Sequence, residues 1–223
     1  VQNSGTYIGK TTINGQNYYV NYTPMTDFNG QVVGAYFAGY STAEADAELL
    51  DKPEQAQLNN YLISNPTSSN VGILLSAATG IRIGELCALK WENINLEKRI
   101  LTVRNTVQRI KNIDGNTATK LVVTSPKSSS SVREIPLPEF IIPYLSNHRT
   151  GNSCYLLSGT QGIVEPRVMQ YRFKRILAEL HLSDVSFHSL RHLFATNCIA
   201  IGVDVKSLSE ILGHSNIQIT LNR

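Results

Sequence analysis

Five side chains in this sequence have the types and neighbours that chemistry at a phosphorus centre needs. Arg82 lies in "ATGIRIGEL", at the turn that opens a helix. Lys127 lies in "TSPKSSSS", in the hairpin between two strand-like runs. His188 and Arg191 stand three apart in "FHSLRH", a spacing that puts them on one helix face. His214 begins a final helix in "LGHSN". Arginine presents a planar fork that fits two phosphate oxygens at once. Two such forks can balance the extra negative charge of five-coordinate phosphorus, as a metal pair does elsewhere. A hairpin lysine can protonate a leaving alkoxide, and a histidine can shuttle a proton.

Each of these residues has a plainer role when taken alone. Arg82 can pair with Glu85 across one helical turn, a contact worth about 0.3–0.5 kcal/mol at a surface. Lys127 can be a solvated loop lysine, and His214 can cap its helix. His188 and His192 stand i, i+4, as some metal-binding histidines do. No Glu follows His188 in the HExxH pattern, however, and no third ligand is evident, so no metal is expected. Taken together, two arginines, two histidines and a lysine without a carboxylate cluster describe a phosphate site that still needs a nucleophile.

The elements that must position these residues come in two textures. Residues 6–40 read as strands, with Asn14-Gly15 and Asn29-Gly30 as hairpin turns between β-prone runs and six of the ten tyrosines. A three-stranded antiparallel meander is expected there, with Pro24 at a strand end or edge. It is too short to bury a core alone. From Asp51 the pattern turns helical. Asp51 is a plausible cap, with Pro53 and Glu54 in the first turn, and "VGILLSAATG" is a buried helix ending at Gly80. A short helix over "GELCALKW" precedes three β-type runs at 99–105, 119–125 and 131–137, with Asp114-Gly115 and a serine run as turns. Helices are expected again at 139–147, 166–181, 188–201, 204–212 and 216–222. The class is α+β, mostly helical, with one small three-stranded antiparallel sheet.

Composition sets outer bounds. The 223 residues, 42% hydrophobic and 17% charged, suffice for one large domain, or a medium one with a small one. No apolar stretch approaches the roughly 20 residues of a membrane helix. Residue 1 is Val, and no charged-then-apolar leader follows, so no signal peptide is expected. Cys87, Cys154 and Cys198 are an odd set without CxxC spacing, which reads as free thiols in a reducing cytoplasm. The net charge of +3 is uneven. Residues 1–50 hold one lysine against Asp27, Glu44, Asp46 and Glu48, a balance of −3, and the remainder carries +6. The second part is therefore the candidate polyanion binder.

The motifs "TGIRIGELCALKW", "PKSSSSVREIPL" and "HSLRHLFATNCIAIGVDVKSLSEILGHSNIQITLNR" resemble, in the same order, those of the tyrosine recombinase catalytic domain. The nearest likeness is to integrases of conjugative transposons and phages, and it covers residues 50–223. The resemblance implies that Arg82 is the first catalytic arginine and that Lys127 protonates the leaving 5′ oxygen. It makes His188 and Arg191 the HxxR pair, and His214 the histidine that hydrogen-bonds the scissile phosphate. It sets the nucleophilic tyrosine directly after "TLNR", one position past Arg223. It implies double-stranded DNA as substrate, a tetramer on two duplexes, directionality or accessory DNA-bending proteins as partners, no cofactor, and the bacterial cytoplasm at the nucleoid. Further DNA contacts are expected from Arg104, Arg109, Lys111, Arg133, Arg172, Lys174 and Lys206. Residues 1–49 resemble instead a fragment of a Cache-type sensor domain, through "INGQNYYVNYTPMTDFNGQVVGAYFAGYSTAEADAE". The combination reads as a mosaic joined near Leu49–Asp51, with the segment as a β-rich replacement for the usual DNA clamp as the other account. A small-molecule sensor and a non-catalytic DNA-binding remnant are the alternative functions.

Overall fold

The computed structural model describes residues 7–13, 16–26 and 32–41 as backbone, and residues 49–111, 119–125 and 132–213 in full. The chain divides into two compact units, Glu48–Phe194 and a second formed by Val1–Ala47 with Ala195–Arg223.

The larger unit is built around two helices with locally written ends. Helix α1, Lys52–Ser64, starts at a reciprocal cap. The Asp51 carboxylate accepts from the Glu54 N–H at 2.8 Å, and Glu54 accepts from the Asp51 N–H at 2.9 Å. Helix α2, Ser68–Thr79, starts at Thr67 and ends on Gly80, whose φ of 65° is left-handed. Its Val71, Ile73, Leu74 and Leu75 are all buried, which makes α2 the central element of the core. Helix α3, Ile83–Cys87, follows after a short turn.

The expected α+β class with a small three-stranded antiparallel sheet holds, but the strands are not the three runs expected. Strands β4 (Ile94–Asn95), β5 (Ile100–Val103) and β8 (Arg133–Pro136) form one antiparallel sheet in the order β4-β5-β8. Strands β6 (Thr106–Lys111) and β7 (Thr119–Thr124) form a separate hairpin, with Lys111 opposite Thr119 and Thr106 opposite Thr124. The expected run 119–125 thus joins β6, a strand the sequence pattern did not suggest. The expected turns at Asp114-Gly115 and the serine run lie outside the described residues.

A helical turn over Glu139–Ile141 leads into α4, Ile142–Asn147. Helix α5, Pro166–Glu179, buries Met169, Phe173, Ile176 and Leu177, the i, i+4, i+7, i+8 stripe of a one-sided helix. Phe173 meets Phe187 edge-on at 5.4 Å, anchoring the segment before α6, Ser189–Ala200. The division between the units falls within α6.

In the smaller unit, β1 (Tyr7–Ile13), β2 (Gln16–Thr26) and β3 (Val32–Ser41) form the expected antiparallel meander. Pro24 lies inside β2, paired with Ala35 of β3. Among the described residues, the β1–β2 register runs from Ile13 opposite Gln16 to Tyr7 opposite Tyr22. The same unit holds α7, Val205–Leu212, capped by the Asp204 carboxylate and ended by Gly213 at φ 64°. The helix expected at 216–222 lies outside the described residues.

Candidate active site

The site starts at the turn between α2 and α3. Gly80 ends α2 with its carbonyl facing out of the helix, and Arg82 is the cap of α3. One residue ties this turn together. The Glu85 carboxylate accepts from the Arg82 backbone N–H at 3.0 Å and from Arg82 Nη1 at 3.0 Å. Close packing sets α3 against β6. A Cβ on Gly84 would lie 2.6 Å from Thr106 Oγ1 and 2.8 Å from the Val107 carbonyl oxygen, so only glycine permits the approach.

Glu85 also binds a second arginine. Arg133, opposite Val103 in the β5–β8 pair, donates from Nη1 to Oε1 at 3.0 Å and from Nη2 to Oε2 at 2.8 Å. Its side chain is 6% exposed and that of Glu85 9%, whereas Arg82 is 39% exposed. Burial pushes the Glu85 carboxyl up, but the hydrogen bonds and charge of Arg133, then the charge and N–H of Arg82, hold it below its ordinary value.

Arg191 comes from the first turn of α6. Its Nη1 donates to the Gly80 carbonyl at 2.7 Å, and its backbone N–H donates to the His188 carbonyl at 3.0 Å. It is buried, 5% exposed. Burial, then the charges of Arg82 and Arg133, push its guanidinium well below the ordinary arginine value, against the pull of Glu85. Glu85 thus carries two arginines, and Arg191 is held on the Gly80 carbonyl beside them. His188 is exposed at the head of α6, and its ring meets that of His192 edge-on at 4.6 Å.

Of the five residues singled out by type and spacing, Arg82 and Arg191 are brought together by the Gly80–Arg82 turn, and His188 stands one helical turn before Arg191. Lys127 and His214 lie outside the described residues. Among the expected surface cations, Arg104 and Lys111 are exposed in the larger unit and Lys206 in the smaller. Arg109 is held by Glu165 at 2.8 Å and by Thr119 at 2.7 Å. Arg172 donates to Ser69 Oγ, and Lys174 pairs with Asp184. Arg133 departs from the expectation of a surface DNA contact, because its buried side chain is committed to Glu85. Glu85 was legible only as the i+3 partner of Arg82. No sequence signal marks it as the carboxylate that two arginines share.

Among the described residues no group of three or more His, Cys, Asp or Glu side chains is gathered as for a metal. Nor, among them, is any helix long and apolar enough to cross a membrane. The thiols of Cys87, Cys154 and Cys198 are free.

Comparison with known proteins gives two family matches. The phage integrase family matches residues 48–223, and single cache domain 3 matches residues 1–51. A XerC-like tyrosine recombinase of Caldanaerobacter subterraneus subsp. tengcongensis is 36% identical over 168 residues, covering 67% of this chain and 43% of that protein. The tyrosine recombinase XerA of Pyrococcus furiosus is 31% identical over 177 residues, covering 77% of this chain and 54% of its own. The chain thus spans about half the length of these relatives. Among solved structures, the Tn1549 transposon integrase in complex with transposon right-end DNA superposes with a TM-score of 0.64 at 23% identity, covering 78% of this chain and 60% of that one. A crystal structure of XerA recombinase gives 0.59 at 23% identity, covering 78% and 57%. These two likenesses show the fold.

Proposed function

The chain belongs to the phage integrase family, and from that premise we propose that residues 50–223 are the catalytic domain of a tyrosine recombinase, which cuts and rejoins duplex DNA through a 3′-phosphotyrosyl intermediate. The observation that carries the reading is the pair of arginines, Arg82 and Arg133, on the Glu85 carboxylate, with Arg191 held on the Gly80 carbonyl of the same turn. Positive charge so concentrated suits a phosphodiester, whose negative charge grows as a fifth oxygen approaches phosphorus.

In this mechanism Arg82 and Arg191 bind the non-bridging oxygens. A tyrosyl oxygen attacks phosphorus, the bond to the 5′ oxygen breaks, and Lys127 gives that oxygen its proton. His188 and His214 hydrogen-bond the phosphate and relay protons. The new phosphotyrosyl ester keeps the energy of the broken ester, so the 5′ hydroxyl of another strand reverses the step without ATP. The nucleophile is the tyrosine that the family pattern sets directly after Arg223, or one offered by a partner. Exposed Arg104, Lys111 and Lys206, with Arg109, Arg172 and Lys174, are the proposed backbone contacts. The working assembly is a tetramer on two duplexes in the bacterial cytoplasm, with directionality or DNA-bending proteins beside it. Residues 1–49 are proposed to be a fragment of a Cache-type sensor domain, which the family match over residues 1–51 supports.

The test is a covalent-adduct assay. The chain, given a tyrosine after Arg223, is incubated with duplexes spanning the DNA that flanks its locus. A protein–DNA adduct stable in SDS, lost in Arg191→Ala, is the expected result. Salt-sensitive DNA binding without any adduct would instead mark a DNA-binding remnant. Ligand-dependent melting shifts with no DNA affinity would mark a sensor.

A further inference from the structure

We propose that Arg133 is a positioning residue of this phosphate site, acting through Glu85 to hold Arg82 in place and to leave the Arg82 charge available to the anion. The inference rests on the phosphate-site reading above and adds to it a residue that touches no substrate.

Three observations carry it. First, Arg133 and Arg82 share one carboxylate: Oε1 accepts from Nη1 of each at 3.0 Å. Oε2 accepts from Arg133 Nη2 at 2.8 Å and from the Arg82 backbone N–H at 3.0 Å. A two-pronged grip fixes the plane of the carboxylate, and that plane fixes the direction in which Arg82 is drawn. Second, the exposures differ. Arg82 is 39% exposed and can meet an arriving anion, whereas Arg133, 6% exposed, is buried where it forks onto Glu85. Third, the charges do not cancel. With Arg82 alone, Glu85 would form a neutral pair and compete with phosphate for the same guanidinium. Arg133 takes up that negative charge, and the trio keeps a net positive charge.

The anchoring elements suit the role. Arg133 stands on β8, paired residue for residue with β5, while Arg82 caps α3 and Glu85 lies within it. The ion pair therefore ties a short helix, which has little stability of its own, to a sheet.

The test uses orthovanadate as the phosphate probe and the 223-residue chain, with affinity read by calorimetry at fixed pH and salt. Near-ultraviolet circular dichroism confirms that each variant is folded. Arg133→Met is expected to weaken binding about tenfold or more, as loss of a coupled charged group does. Arg133→Lys keeps the charge but offers one donor position, and is expected about threefold below wild type. In a Glu85→Gln background the further change Arg133→Met should cost less than about twofold, since the path through Glu85 is already cut. Wild-type affinity in folded Arg133→Met or Arg133→Lys would overturn the inference. So would an equal loss in both backgrounds, which would mean that distant charge alone matters. Failure of the wild-type chain to bind orthovanadate would overturn the phosphate reading, and this inference with it. A defect confined to the Arg133 and Glu85 variants leaves that reading standing.

Discussion

Arg133 grips Glu85 fork to fork, at 3.0 and 2.8 Å, across 48 residues of sequence. The pair is buried, so breaking it from one side is costly. Removing the guanidinium leaves a carboxylate without its main counter-charge, and Arg133→Met should lower stability by about 3–5 kcal/mol at neutral pH, read by urea unfolding. The same pair sets a dependence on pH. Glu85 titrates below its ordinary value of 4.5 in the folded chain. Its contribution is therefore full above that value and is lost as pH falls through the lower, folded one. Melting temperature should fall steeply below about pH 4.5 in the wild type, and less steeply in Glu85→Gln. Equal slopes in the two proteins would remove Glu85 from the account.

Gly84 is where α3 comes closest to β6. The Val107 carbonyl oxygen would stand 2.8 Å from a Cβ at this position, and as backbone it has little room to retreat. Gly84→Ala should cost about 1–3 kcal/mol, more than the small helix-propensity gain of alanine returns. Because α3 carries Glu85 and is capped by Arg82, orthovanadate affinity should fall with it. A variant as stable as wild type would show that α3 can shift without harm.

Cys87 is buried in α3, and burial, with the charge of Glu165, pushes its thiol up to about 12. A thiol reagent at pH 8 should leave it unmodified until the chain unfolds. Mass mapping after brief labelling checks this, and rapid native modification of Cys87 would contradict its burial.

Legibility followed sequence distance. The cap of α1 could be read because Asp51 and Glu54 stand three apart, and the end of α2 because Gly80 adopts a backbone shape that other residues avoid. The HxxR spacing put His188 and Arg191 on one turn at the start of α6 for the same local reason. What escaped was non-local. β5 pairs with β8 past an intervening hairpin, and β6, with Arg109 and Lys111 in a short run, lacks a strong strand signal. Arg191 binds the Gly80 carbonyl, a backbone group that no residue type announces. Arg133 looked like one more surface cation because its partner, Glu85, lies on a different element.

The division between paired and exposed arginines predicts how DNA binding responds to salt. Each phosphate neutralised by a basic side chain releases counterions, so removing one contact lowers the slope of log K against log salt by about 1. Arg104 is exposed beyond the end of β5, and Arg104→Ala should show that decrease. Arg133→Lys keeps its charge inside the fold, beside Glu85, and should leave the slope unchanged within about 0.3 while weakening orthovanadate binding. The two measurements separate a residue that meets the DNA backbone from one that shapes the site behind it. If the slope fell for Arg133→Lys and held for Arg104→Ala, the assignment of buried and DNA-facing arginines would have to be exchanged.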